Sequence, residues 1–373
     1  MIKHLVISGG GGGFFVIYGV LKYLSLKNFW NITDIKSIYA TSSGTFVGII
    51  LSLGYDWESL DDYLIKRPWE KIVVIKPDQL INLWKNKGIL DETIFKLILE
   101  PLLIAKDLSA DITMQELYDY NNIELHIYTT NLNGMVPTTV DISHKTHPAL
   151  CVYKAVTMSS TIPILFSPIC DGSNCYIDGA LLNNFPVDEC IKNLKAKKET
   201  KEEEKEAEKE AEKETEKETE KETEKEAEKE TEKETKKEAE KETKKEAEKE
   251  EEKETEKEET KETKKEAEKE TKKEEKEEEQ FENEILAIKV SNFDLAFDIK
   301  SDSSIHNYLN SIFEGMRRLI STDNKQKNIK NMIDCRIDNT IKKWKEALYS
   351  SEVRREMIEL GYKFGEDFLK VKG

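Results

Sequence analysis

The sequence predicts an α/β fold: a mostly parallel sheet with helices on both faces, interrupted by a long charged low-complexity insert. Three observations predict it. Two strand–turn–helix units follow one another within the first 55 residues. An apolar strand pattern returns much later, at Glu284 to Ser291. Between them, residues 201–280 hold 24 Lys and 39 Glu, with only Thr, Ala and one Gln besides.

In the first unit, residues 2–8 (Ile-Lys-His-Leu-Val-Ile-Ser) read as a short buried strand. The glycine run Gly9 to Gly13 follows, and Phe14 to Leu26 reads as an apolar helix. In the second, Ile35 to Ala40 is a β-branched strand, Thr41 to Gly44 a tight turn and Thr45 to Leu53 a small-residue helix. The stretch 57–120 reads mostly helical, with Leu90 to Ile104 near helical spacing. Leu125 to Thr130 is a core strand. Ala149 to Ser160 is a helix closed by Ile162-Pro163, since proline disfavours helical backbone in the residue before it. Tyr176-Ile177 is a short strand, and Val187 to Leu194 opens a helix. After the repeat come the strand 284–291 and two helices, about 304–320 and 352–370.

The formal charge of −17 belongs almost wholly to the repeat; the other residues carry 34 basic and 36 acidic groups. The folded part is therefore near neutral, about 46% apolar, and large enough to enclose a pocket. A basic nucleic-acid surface on it is not indicated. The repeat unit, Lys-Glu-Thr/Ala-Glu, has no apolar seam and sets like charges at i,i+4. As one continuous helix it would span ~120 Å, yet both its ends return to one domain. A solvated, partly helical, mobile loop is expected, acting at most as an electrostatic tether or spacer. No apolar run reaches the ~20 residues of a membrane span, and no secretory leader is expected. The five cysteines (151, 170, 175, 190, 335) are read as free thiols in a reducing compartment, without zinc spacing. A cytoplasmic protein with peripheral membrane contact is expected. Leu80, Ile81, Leu83 and Trp84 mark a candidate interfacial face.

The chemistry centres on the second turn. Strand–(Ala40-Thr41-Ser42-Ser43-Gly44)–helix is the layout of a nucleophile elbow, with small residues two before and two after Ser42. The helix that follows directs its first amides at the site, favouring an anion. The first turn fails as a nucleotide loop. It lacks the sixth-place glycine of the dinucleotide fingerprint and the lysine of a phosphate loop. Its remaining use is to bring bare N–H groups to a reacting oxygen. The histidines (4, 126, 144, 147, 306) stand in no triad context. Asp178, followed by Gly179-Ala180, is the best carboxylate to serve as base; alone, it reads first as an Asx-turn residue at a strand end.

Together these elements resemble the patatin-like phospholipases. Ser8-Gly-Gly-Gly11 with Gly19-Val20-Leu21 is similar to the family's glycine block and helix, and Ala40 to Gly44 to its elbow. Ala155 to Pro168 resembles its helix and Ile-Pro turn, and Tyr176 to Val187 its Asp-Gly-Ala block. Gly88-Ile-Leu and Ile112 to Leu117 resemble weaker segments. The resemblance implies a three-layer α/β fold and a Ser–Asp dyad. Ser42 would attack an acyl carbonyl, and Asp178 would take its proton. Amides around Gly10, Gly11 and Gly12 would hold the oxyanion; Ala40, Gly44, Gly179 and Ala180 would support the two motifs. It implies a lipid acyl hydrolase of phospholipase A or lysophospholipase type, with a lipid or phospholipid substrate and no metal or cofactor. The domain would run over 4–195 and resume over 283–373, around an insert at 196–282. Two departures stand out. Gly13 and Phe14 occupy the places where family members usually carry Arg or Lys and then Gly; Phe14 would narrow the hole. Ala40 replaces the first elbow glycine. A catalytically silent lipid-binding or scaffold protein, with the insert mediating interactions, is the competing reading.

Overall fold

The computed structural model describes residues 1–74, 83–203, 281–292, 299–303 and 329–372, with 308, 311, 312 and 315. The repeat from 204 to 280, Leu80 and Ile81, His306 and most of the expected helix 304–320 lie outside the described residues. The chain divides into two compact units, Met1–Cys190 with Gln280–Gly373, and Ile191–Glu279. The second is described only over 191–203, where it is helical.

The first unit is built on an eight-stranded sheet. Strands β1 (His4–Ile7) and β2 (Ser37–Thr41) pair in parallel, and β4 (Glu124–Asn131) lies parallel on the far side of β2. On the other edge of β1, β9 (Ile285–Asn292) and then β10 (Met332–Ile337) continue the parallel run. The apolar strand read after the repeat is thus a neighbour of the first strand of the chain. β1 and the inner part of β9 are buried throughout, as a parallel strand covered on both faces must be. Three antiparallel strands complete the sheet: β5 (Thr138–Ile142) and β8 (Asn174–Asp178) on β4, and β7 (Ile169–Asp171) on β8. A two-stranded sheet pairs β3 (Gly88–Leu90) with β6 (Ile164–Phe166). The expected three-layer α/β architecture with a mostly parallel sheet is the one observed.

The helices α1 (Phe14–Leu26) and α2 (Ser43–Ser52) follow β1 and β2. Then come α3 (Trp57–Asp61), α4 (Thr93–Ile104), α5 (Met114–Asn121), α6 (Val152–Ser160) and α7 (187–203), with α8 (Ile341–Tyr349) and α9 (Ser351–Lys372) at the end. α5 opens on a complete capping box, Thr113 with Glu116, so two orphan amide donors are satisfied locally. α1 and α9 cross at contact distance. A Cβ at Gly19 would sit 2.2 Å from the Ile358 carbonyl oxygen, and one at Gly361 2.2 Å from that of Val16. Glycine on both sides of the crossing is therefore required for the backbones to touch.

Two expectations are corrected here. Leu90 lies in β3, not in the helix read from it, because Gly88–Leu90 pairs with β6 and the helix begins only at Thr93. Cys170 and Cys175 are not free thiols: the β7–β8 hairpin places them directly opposite one another, and they are joined as a disulfide. Cys151, Cys190 and Cys335 are thiols outside any disulfide.

His126, buried on β4, stacks face to face on Tyr39 with centroids 4.4 Å apart. Its Nδ1 is 2.8 Å from Asp141 Oδ2, and its Nε2 lies 3.5 Å from Glu124 Oε2. Burial alone would favour the neutral ring, but the bonds to Asp141 and Glu124 outweigh it and raise the pKa. The native state then holds this proton more tightly than the unfolded chain. The resulting stability is fully present below about pH 6.5 and is lost as pH rises through the native pKa. Thermal melts are expected to show Tm falling over that rise, and His126→Gln should flatten this part of the profile.

Candidate active site

β4 explains how two distant residues meet. A strand has two edges, and β5 occupies one of them over Ile127 to Asn131. β2 and β8 must therefore share the other, end to end: Thr41 is opposite Tyr128 and Asp178 is opposite Thr129. The residue after Thr41 is Ser42, which emerges beside the end of β8.

Ser42 has φ 52° and ψ −130°, between β2 and α2. A positive φ at a non-glycine residue costs free energy and persists only where surrounding contacts hold it. Here its N–H donates to Ser159 Oγ at 2.8 Å, and Ser159 Oγ–H donates to the Tyr128 carbonyl at 2.5 Å. Its carbonyl accepts from Thr45 N–H and Oγ1–H. At Gly44 a Cβ would lie 2.5 Å from the Ser8 carbonyl oxygen and 2.8 Å from that of Ile7, so this side of the elbow admits no side chain. Ala40 sits buried within β2, paired with Ile7 and Ile127, and its methyl is accommodated in the strand.

Ser42 Oγ–H donates to Asp178 Oδ2 at 2.8 Å. The other carboxylate oxygen, Oδ1, accepts from Ala180 N–H at 2.8 Å, and Asp178 N–H donates to the Thr161 carbonyl. At Gly179 a Cβ would lie 2.1 Å from the Tyr128 carbonyl oxygen, so the turn after Asp178 is pressed directly against β4. Both side chains are largely buried, with Ser42 6% and Asp178 2% exposed. They open into a cavity of about 100 Å³, lined also by Gly9, Gly10, Gly11, Asn184 and Asn339.

The glycine loop forms one 3₁₀ turn, Gly11–Gly13. The N–H groups of Gly11 and Gly12 open that turn and have no carbonyl behind them within it. Gly10 N–H is engaged by Ser43 Oγ at 3.1 Å. Gly10 and Gly11 line the cavity, whereas Gly12 packs against Trp344, where a Cβ would be 2.9 Å from its ring. Phe14 does not narrow the cavity. It turns into the core, stacked on Phe15 and edge-on to Phe46. Gly13 meets Val290 and Ile337 at about 3 Å from an added Cβ, and its N–H donates to Asn339 Oδ1 at 3.2 Å. This part of the loop is bare backbone held by an asparagine.

Among the described residues no histidine lines the cavity. Asn292 and Asn339, which do, come from beyond the repeat; Asn292 Oδ1 accepts from Asn339 N–H at 3.0 Å. No pattern in the sequence marks either of them. Ser159, which holds the elbow, lies inside the Ala155 to Pro168 motif but has no signal of its own there.

Residues 5–191 match the model of the family described as "Patatin-like phospholipase". The chain belongs to the patatin-like phospholipase family. It is 33% identical over 204 residues to a protein of Invertebrate iridescent virus 6 named "Probable lipid hydrolase", covering 53% of this chain and 67% of that one. It is 26% identical over 186 residues to an uncharacterized protein of Acanthamoeba polyphaga mimivirus, covering 50% of this chain and 60% of that one. Among solved structures it is similar to VipD from Legionella pneumophila, at 15% identity and a TM-score of 0.44, covering 99% of this chain and 67% of that one. The patatin-like match ends before the repeat, so β9, β10, α8 and α9 lie outside it. Among the described residues no helix is long and apolar enough to cross a membrane, and no cluster of His, Cys, Asp or Glu could hold a metal ion.

Proposed function

We propose that this patatin-like chain is a lipid acyl hydrolase of the phospholipase A or lysophospholipase type, working through a Ser42–Asp178 dyad. The reading is carried by the 2.8 Å hydrogen bond from Ser42 Oγ to Asp178 Oδ2 at the floor of a cavity. In this mechanism Ser42 Oγ attacks the acyl carbonyl while Asp178 Oδ2 takes its proton. The carbonyl oxygen becomes the oxyanion, facing the Gly11 amide on the cavity wall and the first turn of α2. Collapse breaks the ester bond, and Asp178 returns its proton to the leaving alcohol. A water, deprotonated by Asp178, then attacks the acyl-serine; collapse breaks the acyl–Oγ bond, Asp178 returns the proton to Ser42 Oγ, and the fatty acid leaves.

The same reading takes 4–195 and 283–373 as one patatin-like domain, with 196–282 as an insert outside the chemistry. The pairing of β9 with β1 supports it.

A fluorophosphonate probe tests the nucleophile directly. Labelling is expected on the native chain and should vanish in Ser42→Ala. A folded native chain that stays unlabelled would leave the catalytically silent, lipid-binding reading in its place.

A further inference from the structure

The edge of the sheet that carries Ser42 and Asp178 also carries an overhang. β4 runs parallel to β2 and passes Tyr128, the partner of Thr41, by three more residues, about 10 Å. The loop that follows turns back into β5 and places Leu132, Met135 and Val136 in solvent, 41%, 103% and 66% exposed. The β7–β8 hairpin extends beyond the same edge, because β8 runs antiparallel to β4 and reaches Asp178 only at its inner end. The two tips are tied together: Leu132 N–H donates to the Cys175 carbonyl, and Asn133 Nδ2 donates to the Ser173 carbonyl at 2.7 Å. Ile164 is also exposed, at a positive φ of 74°, and stands two residues from Ile162 in the cavity wall.

The composition of this rim separates it from the rest of the surface. Outside the repeat, Asp, Glu, Lys and Arg make up 70 of 293 residues, yet the exposed run Leu132 to Thr139 contains none of them, and neither does Ile162 to Cys170. Asp171, exposed at the outer turn of the second hairpin, is the one charge on that tip, and its Oδ1 accepts from Asn174 Nδ2. A surface meant for water has no reason to shed its charges. One that enters a low-dielectric layer does, because each unpaired charge carried in must be desolvated. Exposed apolar side chains gathered on one loop tip fit the same environment.

We propose that this overhanging, uncharged rim docks the chain onto a lipid surface, with Met135 and Val136 entering the interfacial layer and Ile164 beside the cavity mouth. The proposal rests on the reading of Ser42 as a lipid-cleaving nucleophile. It assigns the contact to residues 132–136 and 164, apart from the Leu83–Trp84 region that the sequence pointed to. Docked this way, the C-terminal edge of the sheet faces the bilayer and an ester reaches Ser42 without crossing water. The contact is apolar and therefore independent of anionic headgroups.

Sedimentation with phosphatidylcholine vesicles tests it. The Ser42→Ala chain is expected to bind them, and binding should persist at high salt, where ionic contacts are screened. Adding Met135→Asp and Val136→Asp should weaken binding by about tenfold or more. In the native background the same pair should slow vesicle hydrolysis to a similar degree, with turnover of a soluble short-chain ester and Tm unchanged. Unaltered vesicle binding by the double variant would overturn the proposal. So would a change in the mass of the free protein on a sizing column, which would make the rim a contact between two copies. A chain that binds vesicles but cleaves neither substrate would overturn the catalytic reading alone.

Discussion

Asp178→Asn is expected to lower ester turnover by about 10³- to 10⁴-fold or more, with the fold intact. The substitution keeps the shape of the side chain. Its Oδ1 can still accept from Ala180 N–H, so the 3₁₀ turn that starts at Gly179 keeps its cap. The atom facing Ser42 Oγ changes from an acceptor into an NH₂ donor. No base then remains within reach of the serine proton, and no acid remains for the leaving alcohol. Ser42→Ala should fall to the same floor. Because the pair acts as a unit, combining both variants should cost little beyond either one. The measurement is kcat on a soluble nitrophenyl ester, with Tm recorded for each variant. Substantial turnover by Asp178→Asn would move the base elsewhere and remove the dyad from the mechanism.

Arg354→Ala is expected to cost about 3–5 kcal/mol of stability. Arg354 lies on α9 and is 3% exposed. Its guanidinium donates to four backbone carbonyls: Ile65 and Arg67 after α3, and Ala347 and Leu348 at the end of α8. One planar fork thus ties the last helix to a turn almost 290 residues earlier in the chain. Truncation takes the guanidinium donors from the Ile65, Ala347 and Leu348 carbonyls, leaves Arg67 with the Trp69 N–H alone, and opens a cavity in the same place. Lysine should recover only a part, since a single ammonium cannot span both sets of carbonyls. Urea unfolding followed by circular dichroism reads the change. A loss below about 1 kcal/mol would mean that water replaces the guanidinium at no great cost.

Local elements were legible where the pattern was local. The apolar run Phe14 to Leu26 and the helix it predicts have the same bounds, because a glycine loop ends the pattern on one side and the αL residue Asn28 follows on the other. The small-x-Ser-x-Gly string predicts a tight strand-to-helix turn, and Ser42 sits at a positive φ between β2 and α2. Patterns without strong punctuation were missed. Thr138 to Ile142 has a mixed, partly exposed sequence and becomes a strand only because β4 has a free edge. Met332 to Ile337, with Ile333, Cys335 and Ile337 buried, is too short an alternation to stand out, although it closes the parallel run beyond β9. The hairpin that joins Cys170 to Cys175 depends on a register that spacing alone does not express.

From its order of residues alone, this protein declared its family, its elbow serine and its candidate aspartate, because each rests on backbone demands that only a few residue types can meet within one turn. Whether the serine and aspartate touch was decided in three dimensions, by two strands sharing one edge of β4 on consecutive rungs. The same holds for Asn292 and Asn339, which reach the cavity from beyond the repeat. Sequence spacing governs what a turn can do; which distant turns become neighbours is governed by strand pairing and burial, summed over the whole sheet.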